Sequence, residues 1–221
     1  MEEELQQKTS IGIRVFRGII ALAVLVGLVY ISGIYQYFFF QRTSPNIQQE
    51  QVQTAIDAAV LTVPLTVFIM RNNEAYGSAR TVQDVRHLVE QADKIWEQAS
   101  IDLEIVNIHT VEQTDEEISL LYGNSLAFSQ TLEHFDTATI NAVLVGNLQG
   151  LNGVAYGRFP LIAVADYTTI YDFRVFAHEI GHKLGLDHVV NEAALMHQGA
   201  NGFTLSLEEI ITAREVAKQF K

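Results

Sequence analysis

Residues His178–His188 read HEIGHKLGLDH, the pattern H-E-x-x-H-x-x-G-x-x-H. On a helix, His178 and His182 lie on one face about one turn apart, so both imidazoles can bind one Zn²⁺ from the same side. Gly185 allows the chain to leave the helix in a conformation that a Cβ atom opposes, which brings His188 round as a third ligand. Three protein ligands leave a fourth position for water, as in a catalytic rather than a structural zinc site. The pattern therefore predicts one catalytic Zn²⁺.

Glu179 follows the first predicted ligand and projects beside the metal, where its carboxylate can take a proton from water. The alternative interpretation is an amphipathic core helix with ordinary buried histidines. An apolar series at helical spacing does indicate a core helix; its members are Phe173, Phe176, Ala177, Ile180 and Leu184. Core packing explains that series, but it does not explain three histidines and a glutamate at ligand spacing. We therefore predict that Glu179 is a general base.

The same stretch resembles the metzincin family of zinc endopeptidases, in particular the matrixin-like branch. Ala194-Leu195-Met196 follows the third histidine closely and resembles the methionine turn that metzincins place beneath the metal. The segment Leu205–Ile210 is also similar to matrixins. The resemblance implies that Met196 forms this turn, although a methionine is otherwise common as a flexible core filler. No tyrosine stands two residues after Met196, and His197 is expected to be a pocket-wall or surface residue.

The resemblance implies an α+β, metzincin-like zincin fold with an α/β-like N-terminal half. Its expected parts are a twisted mixed sheet with an antiparallel edge strand, two long helices and a C-terminal helix. Local patterns agree, because Val63–Met70 is rich in β-branched residues and Ile101–Ile108 alternates apolar with polar residues. Thr81 and Asp84 resemble a capping box that opens a long helix between these strands. This order predicts a parallel crossover unit.

Further elements follow from similar signals along the rest of the chain. We expect irregular structure with one short helix over Asp115–Leu132, a central strand over Thr139–Val145 and a neighbouring strand over Leu161–Asp166. Two helix caps are also expected: Thr169 with Asp172 for the zinc helix, and Ser206 with Glu209 for a last helix that runs to about Phe220.

The glycine-rich stretch GLNGVAYG at residues 150–157 has two interpretations. One is a hairpin loop. The other, implied by the resemblance, is the antiparallel edge strand that lines the cleft. A free edge there could pair with an extended peptide by β-augmentation and hold the scissile bond over the metal. In that interpretation the substrate-binding residues are Gly153, Val154, Ala155 and Tyr156.

Residues Gly18–Phe40 form an apolar segment of a length that crosses a bilayer, about 35 Å as a helix. Lys8, Arg14 and Arg17 precede it, and Arg42 alone follows it closely. The positive-inside bias therefore predicts a cytoplasmic N-terminus and an extracytoplasmic catalytic domain. A signal peptide that is cleaved to secrete the protein is the alternative.

The predicted organisation has four parts: a cytoplasmic tail (1–17), a transmembrane anchor (18–40), a juxtamembrane helix or linker (41–62) and a zinc metalloprotease domain (63–221). The formal net charge of the chain is −12, which disfavours nucleic acid as a partner. The chain has no cysteine, so disulfides, zinc–cysteine sites and the cysteine-based latency switch of many matrixins are excluded.

The sequence thus predicts a membrane-anchored, zinc-dependent endopeptidase that acts on a protein or peptide substrate. Its reaction is hydrolysis by a zinc-activated water with Glu179 as general base. The alternative is a membrane-tethered, non-catalytic peptide-binding module that keeps zinc for structure. Glu179 argues against this alternative, because a structural zinc site has no need of a base.

Overall fold

The computed structural model describes residues 59–71, 76–157 and 159–220. This part of the chain contains five strands, five α-helices and two short 3₁₀ turns. The strands are β1 (Leu61–Arg71), β2 (Ile101–Glu112), β3 (Ile140–Val145), β4 (Gly153–Ala155) and β5 (Leu161–Ala165). The helices are α1 (Val82–Trp96), α2 (Asp115–Ser119), α3 (Ser125–Thr131), α4 (Asp172–Lys183) and α5 (Leu207–Ala217).

The strands form one mixed sheet in the order β2-β1-β3-β5-β4. The first four of these strands are parallel to one another, and β4 pairs antiparallel with β5. This arrangement confirms the α+β class, the parallel β1–β2 unit and the antiparallel edge strand. Of the two interpretations of residues 150–157, the edge strand is the correct one, because Gly153–Ala155 forms a strand of three residues.

Alternation along the strands produces two apolar cores, one on each face of the sheet. Along β1, Val63, Leu65, Val67 and Ile69 contact the core that α1, α4 and α5 cover. Phe68 and Met70 contact the opposite core, which α2 and α3 cover. The larger core contains Trp96, Phe176 and Ile180, so α4 is held rigidly against the sheet.

Two capping predictions are confirmed, one helix boundary differs, and one region predicted to be mostly irregular contains two helices. Thr81 with Asp84 and Ser206 with Glu209 form complete capping boxes. The last helix ends at Ala217 rather than Phe220, whose ring packs against the larger core instead. The region Asp115–Leu132 is more regular than predicted, because α2 has its own capping box at Thr114 and α3 is capped by Asn124.

The predicted cap of α4, Thr169 with Asp172, is wrong. The residue that caps α4 is Tyr171, which makes no side-chain capping bond. Thr169 instead exchanges hydrogen bonds with Asn152, at 2.9 Å from Thr169 N to Asn152 Oδ1. Asp172 is already helical, and its Oδ2 accepts from Arg80 Nη1 at 2.9 Å. Distant partners have replaced the local cap that the sequence suggested.

The predicted anchor, Gly18–Phe40, lies outside the described residues, as does most of the predicted juxtamembrane helix. Within the described ranges no helix is both long and apolar enough to cross a bilayer. β1 begins at Leu61, so the predicted division after residue 62 falls inside this strand.

A polar cluster around Asp166 ties the end of β5 to the segment before α1. Asp166 Oδ1 accepts from Arg80 Nε at 2.9 Å and from Ser78 Oγ at 2.8 Å, and Asp166 Oδ2 accepts from the Ala79 amide. The Asp166 side chain is only 7% exposed, whereas that of Asp172, the second carboxylate on Arg80, is 37% exposed.

We expect Asp166→Asn to lower the free energy of unfolding by about 2–4 kcal/mol, because it leaves a buried guanidinium without its main counter-charge. Asp172→Asn is the matched control and should cost less than about 1 kcal/mol, as exposed ion pairs do. Urea unfolding of both variants measures the difference. Equal losses would contradict the buried role of Asp166.

Candidate metal centre

The structure brings His178, His182 and His188 together at one point. His178 and His182 lie one turn apart on α4, and His188 follows the turn after that helix. The Nε2 atom of His188 is 3.2 Å from Nε2 of His178 and 3.2 Å from Nε2 of His182. In the described part of the chain this is the one group of three or more acidic, histidine or cysteine side chains whose ligand atoms converge.

Backbone carbonyls fix the protonation of the two helical histidines. Nδ1 of His178 is 2.8 Å from the Leu195 carbonyl, and Nδ1 of His182 is 2.8 Å from the Leu186 carbonyl. A carbonyl oxygen can only accept, so both Nδ1 atoms carry the proton and both Nε2 atoms present a lone pair to the centre. Such carbonyl contacts are typical of histidines that bind a metal.

The three nitrogens fit a divalent cation better than they fit one another. His188 can donate at most one Nε2 proton, so at least one of its two 3.2 Å contacts would join lone pair to lone pair. In a tetrahedral zinc site with Zn–N distances of about 2.0–2.1 Å, two ligand nitrogens are about 3.3 Å apart. The donor set, its tautomers and its spacing therefore match Zn²⁺.

The turn that delivers His188 depends on Gly185. This residue has φ +83°, a left-handed conformation that L side chains rarely adopt, as the sequence predicted. The Leu186 amide returns to the Gly181 carbonyl at 2.9 Å, which closes the end of the helix. The same turn therefore orients His188 and supplies the Leu186 carbonyl that holds His182.

Arg174 connects the zinc helix to the segment around Met196, a role that the sequence analysis missed. Its side chain is buried, and its guanidinium donates to the carbonyls of Leu195, His197 and Gly202. The Leu195 carbonyl thus accepts from both Arg174 and His178. Arg174 lies four residues before His178, and residues four apart share a face of a helix. This spacing was the sequence signal that could have indicated its role.

Met196 lies directly beneath the helix. It is fully buried, and a Cβ atom at Gly181 would come within 2.5 Å of the Met196 sulfur. Met196 therefore packs against the turn of α4 that lies between His178 and His182. Its role as the methionine turn stays a prediction. His197 is half-buried, stands outside the three-histidine group and does not line the cleft described below.

Glu179 lies beside the three histidines in a buried position. Burial raises the pKa of its carboxyl to about 8, while the positive charges of Lys183 and Arg174 act in the opposite direction. A dication held by the adjacent histidines would also lower this pKa, as the two positive side chains do. Gly153 of β4 packs against Glu179, because a Cβ there would approach Glu179 Oε1 to 2.9 Å.

A cleft of about 400 Å³ contains these groups. The three histidines and Glu179 line one side of it, and Gly153, Val154 and Ala155 of β4 line the other. β4 is the last strand of the sheet and pairs only with β5 among the described residues, so its other edge has no partner strand there. Tyr156, the fourth predicted substrate residue, does not line the cleft; its ring packs in the opposite core.

Comparisons with known proteins agree with this site. Residues 82–189, which include all three histidines and Glu179, match the sequence model of the reprolysin-like metallopeptidases of family M12B. No curated protein matches the chain. These residues and the matched model support a zinc metallopeptidase.

The fold resembles that of one solved structure in particular. Metalloproteinase-II from Bacteroides fragilis superposes with a TM-score of 0.51 at 16% identity, over 75% of this chain and 60% of that chain. The chain therefore spans about 60% of that protein's length. Archaemetzincin from Methanopyrus kandleri matches at 14% identity over 72% of this chain and 95% of that chain, with a TM-score of 0.44.

We expect His188→Ala to remove the stoichiometric zinc of the purified protein, since two histidines alone hold the ion far more weakly. His134→Ala is the matched control, because His134 is an exposed histidine outside the group, and it should leave the zinc content unchanged. Elemental analysis after dialysis measures both. Zinc retained at full stoichiometry in His188→Ala would show that His188 is not a ligand.

Proposed function

We propose that this chain is a metzincin-type, zinc-dependent endopeptidase that is anchored to a membrane. One observation carries the catalytic part of the proposal. Three histidine nitrogens converge beside a buried glutamate, in a cleft that runs along the free edge of a β-strand. A structural zinc site would have a closed ligand set and would not require either the glutamate or the cleft.

An extended peptide is the substrate that suits this cleft. β4 offers backbone amides and carbonyls at an unpaired edge, which an extended chain can join as an additional strand. Gly153, Val154 and Ala155 would bind the substrate in this way, through groups that do not depend on its side chains. The peptide bond over the three histidines would then be the bond that is cleaved.

The histidines supply the site for the metal and Glu179 supplies the proton transfer. His178, His182 and His188 would hold the zinc ion, which would supply polarisation of the scissile carbonyl and a lower pKa for water. Glu179, in its deprotonated form, accepts a proton from the attacking water at its carboxylate and later gives that proton to the leaving amine. Gly153 leaves room for this carboxylate, because a Cβ at that position would lie 2.9 Å from Glu179 Oε1.

The membrane part of the proposal comes from the sequence. Gly18–Phe40 is the proposed anchor, with the N-terminus in the cytoplasm and the catalytic domain outside it. Protein or peptide substrates would then meet the cleft on the extracytoplasmic side. Within the metzincins we propose the matrixin-like branch, on the basis of the short spacing from His188 to Met196 and of the segment Leu205–Ile210.

We expect Glu179→Gln to lower kcat for an unstructured protein substrate by about 10²–10⁴-fold, the usual contribution of a general base. The amide keeps the shape of the side chain but cannot take up the proton. Zinc content should be retained, because Glu179 is not one of the three ligands. Steady-state proteolysis and elemental analysis provide the two readouts.

Glu215→Gln is the matched control, because Glu215 lies on α5 in an exposed ion pair with Lys218 and should leave kcat unchanged. Wild-type protein that binds zinc and peptide without cleaving it would favour the peptide-binding module. Cleavage that persists unchanged in Glu179→Gln would exclude Glu179 as the base.

A further inference from the structure

Lys183, the last residue of α4, connects this helix to the turn that follows the edge strand. Its Nζ atom donates to the Gly157 carbonyl at 2.8 Å and to the Phe159 carbonyl at 2.8 Å. The side chain is half-buried and, among the described residues, forms no ion pair with a carboxylate. The described polar partners of this ammonium are thus two backbone carbonyls of one turn.

The edge strand itself is weakly held. β4 has three residues, and three residue pairs join it to β5. So short a strand gains little from its own ladder, and its position depends on how its two ends are fixed. The three residues of β4 line the cleft, so any shift of the strand would move the proposed substrate-binding groups.

At both ends of this strand, contacts with α4 add to the backbone hydrogen bonds that Asn152 and Tyr156 make with β5. At the upstream end Gly153 packs so closely on Val175 and Glu179 that a Cβ would lie 2.7 Å from the Val175 side chain. At the downstream end the bonds from Lys183 hold the carbonyls of Gly157 and Phe159. The helix that carries two metal-binding histidines and the base therefore also sets the position of the substrate-binding edge.

We propose that Lys183 is a positioning residue for extended peptide substrates, acting by holding β4 at a fixed distance from the three histidines. The inference rests on the proposed function, since it concerns alignment of a peptide on the same edge. A peptide that joins β4 as an additional strand needs the backbone groups of this edge in register, so a shifted edge would bind it more weakly. A charged donor with two carbonyl acceptors is strong enough to restrain a turn.

The test compares Lys183→Met with wild type on a fluorogenic decapeptide that the wild-type protein cleaves. Methionine keeps most of the volume but donates no hydrogen bond. We expect KM to rise by about tenfold, because a tenfold loss of affinity corresponds to the free energy of about one net hydrogen bond. Zinc content and melting temperature should stay near wild type. The Kd of the same peptide, measured in the Glu179→Gln background, should rise by the same factor.

Two further variants separate positioning from general stability. Lys183→Arg retains donors for both carbonyls and should restore most of the peptide affinity. Lys94→Met removes a lysine from an exposed ion pair on α1 and should change neither KM nor Kd. A rise in KM that Lys183→Arg does not reverse would overturn the role of the hydrogen bonds.

The outcomes also distinguish this inference from the proposed function. Wild-type protein that cleaves no peptide would overturn both. Cleavage by wild type with unchanged KM and Kd in Lys183→Met would overturn only the positioning role. A Lys183→Met protein that loses zinc or folded structure and has a lower kcat, at unchanged KM, would also contradict the positioning role. That result would show that Lys183 serves stability alone.

Discussion

The structure depends on one unfavourable arrangement that the fold maintains: the Nε2 atom of His188 lies 3.2 Å from the Nε2 atoms of both His178 and His182. Two of them present lone pairs, because the carbonyls of Leu195 and Leu186 hold the protons on the opposite nitrogens. Such an arrangement is favourable only around a cation. The packing of α4 against the sheet and the left-handed turn at Gly185 keep the rings in place.

The surroundings of the site contain three buried or half-buried charges that are satisfied in different ways. Arg174 donates to backbone carbonyls after α4 and Lys183 to backbone carbonyls before it in the chain, and both positive charges act on Glu179. Each cation therefore holds a segment in place and also lowers the pKa of Glu179, although burial has the larger effect. The helix thus organises the ligands, the base, the segment around Met196 and the edge strand together.

Much of the site and of the fold could be predicted from the sequence, because zinc ligands and helix caps require particular residue types at fixed spacing. The histidines, Glu179 and Gly185 form a pattern that few other structures require, and both complete capping boxes at α1 and α5 were visible as residue pairs. The strands of the parallel sheet were visible as apolar or alternating runs. The anchor at Gly18–Phe40 remains a prediction from composition.

The remainder could not be predicted for a physical reason. Arg174 and Lys183 act on backbone carbonyls, and every residue offers a carbonyl, so no partner residue marks these contacts in the sequence. Thr169 and Asp172 had the spacing of a cap, but Asn152 and Arg80, both distant in sequence, compete for their side chains. Tyr156 follows the edge strand directly, yet its ring packs on the opposite face.

The central claim is that three protein nitrogens bind one zinc ion and leave a position for water. Zinc K-edge X-ray absorption on the zinc-loaded protein tests it most directly. The account predicts three imidazole nitrogens at about 2.0–2.1 Å and one further light atom from water in the first shell. A shell made up entirely of four protein ligands, or the absence of bound zinc, would contradict it.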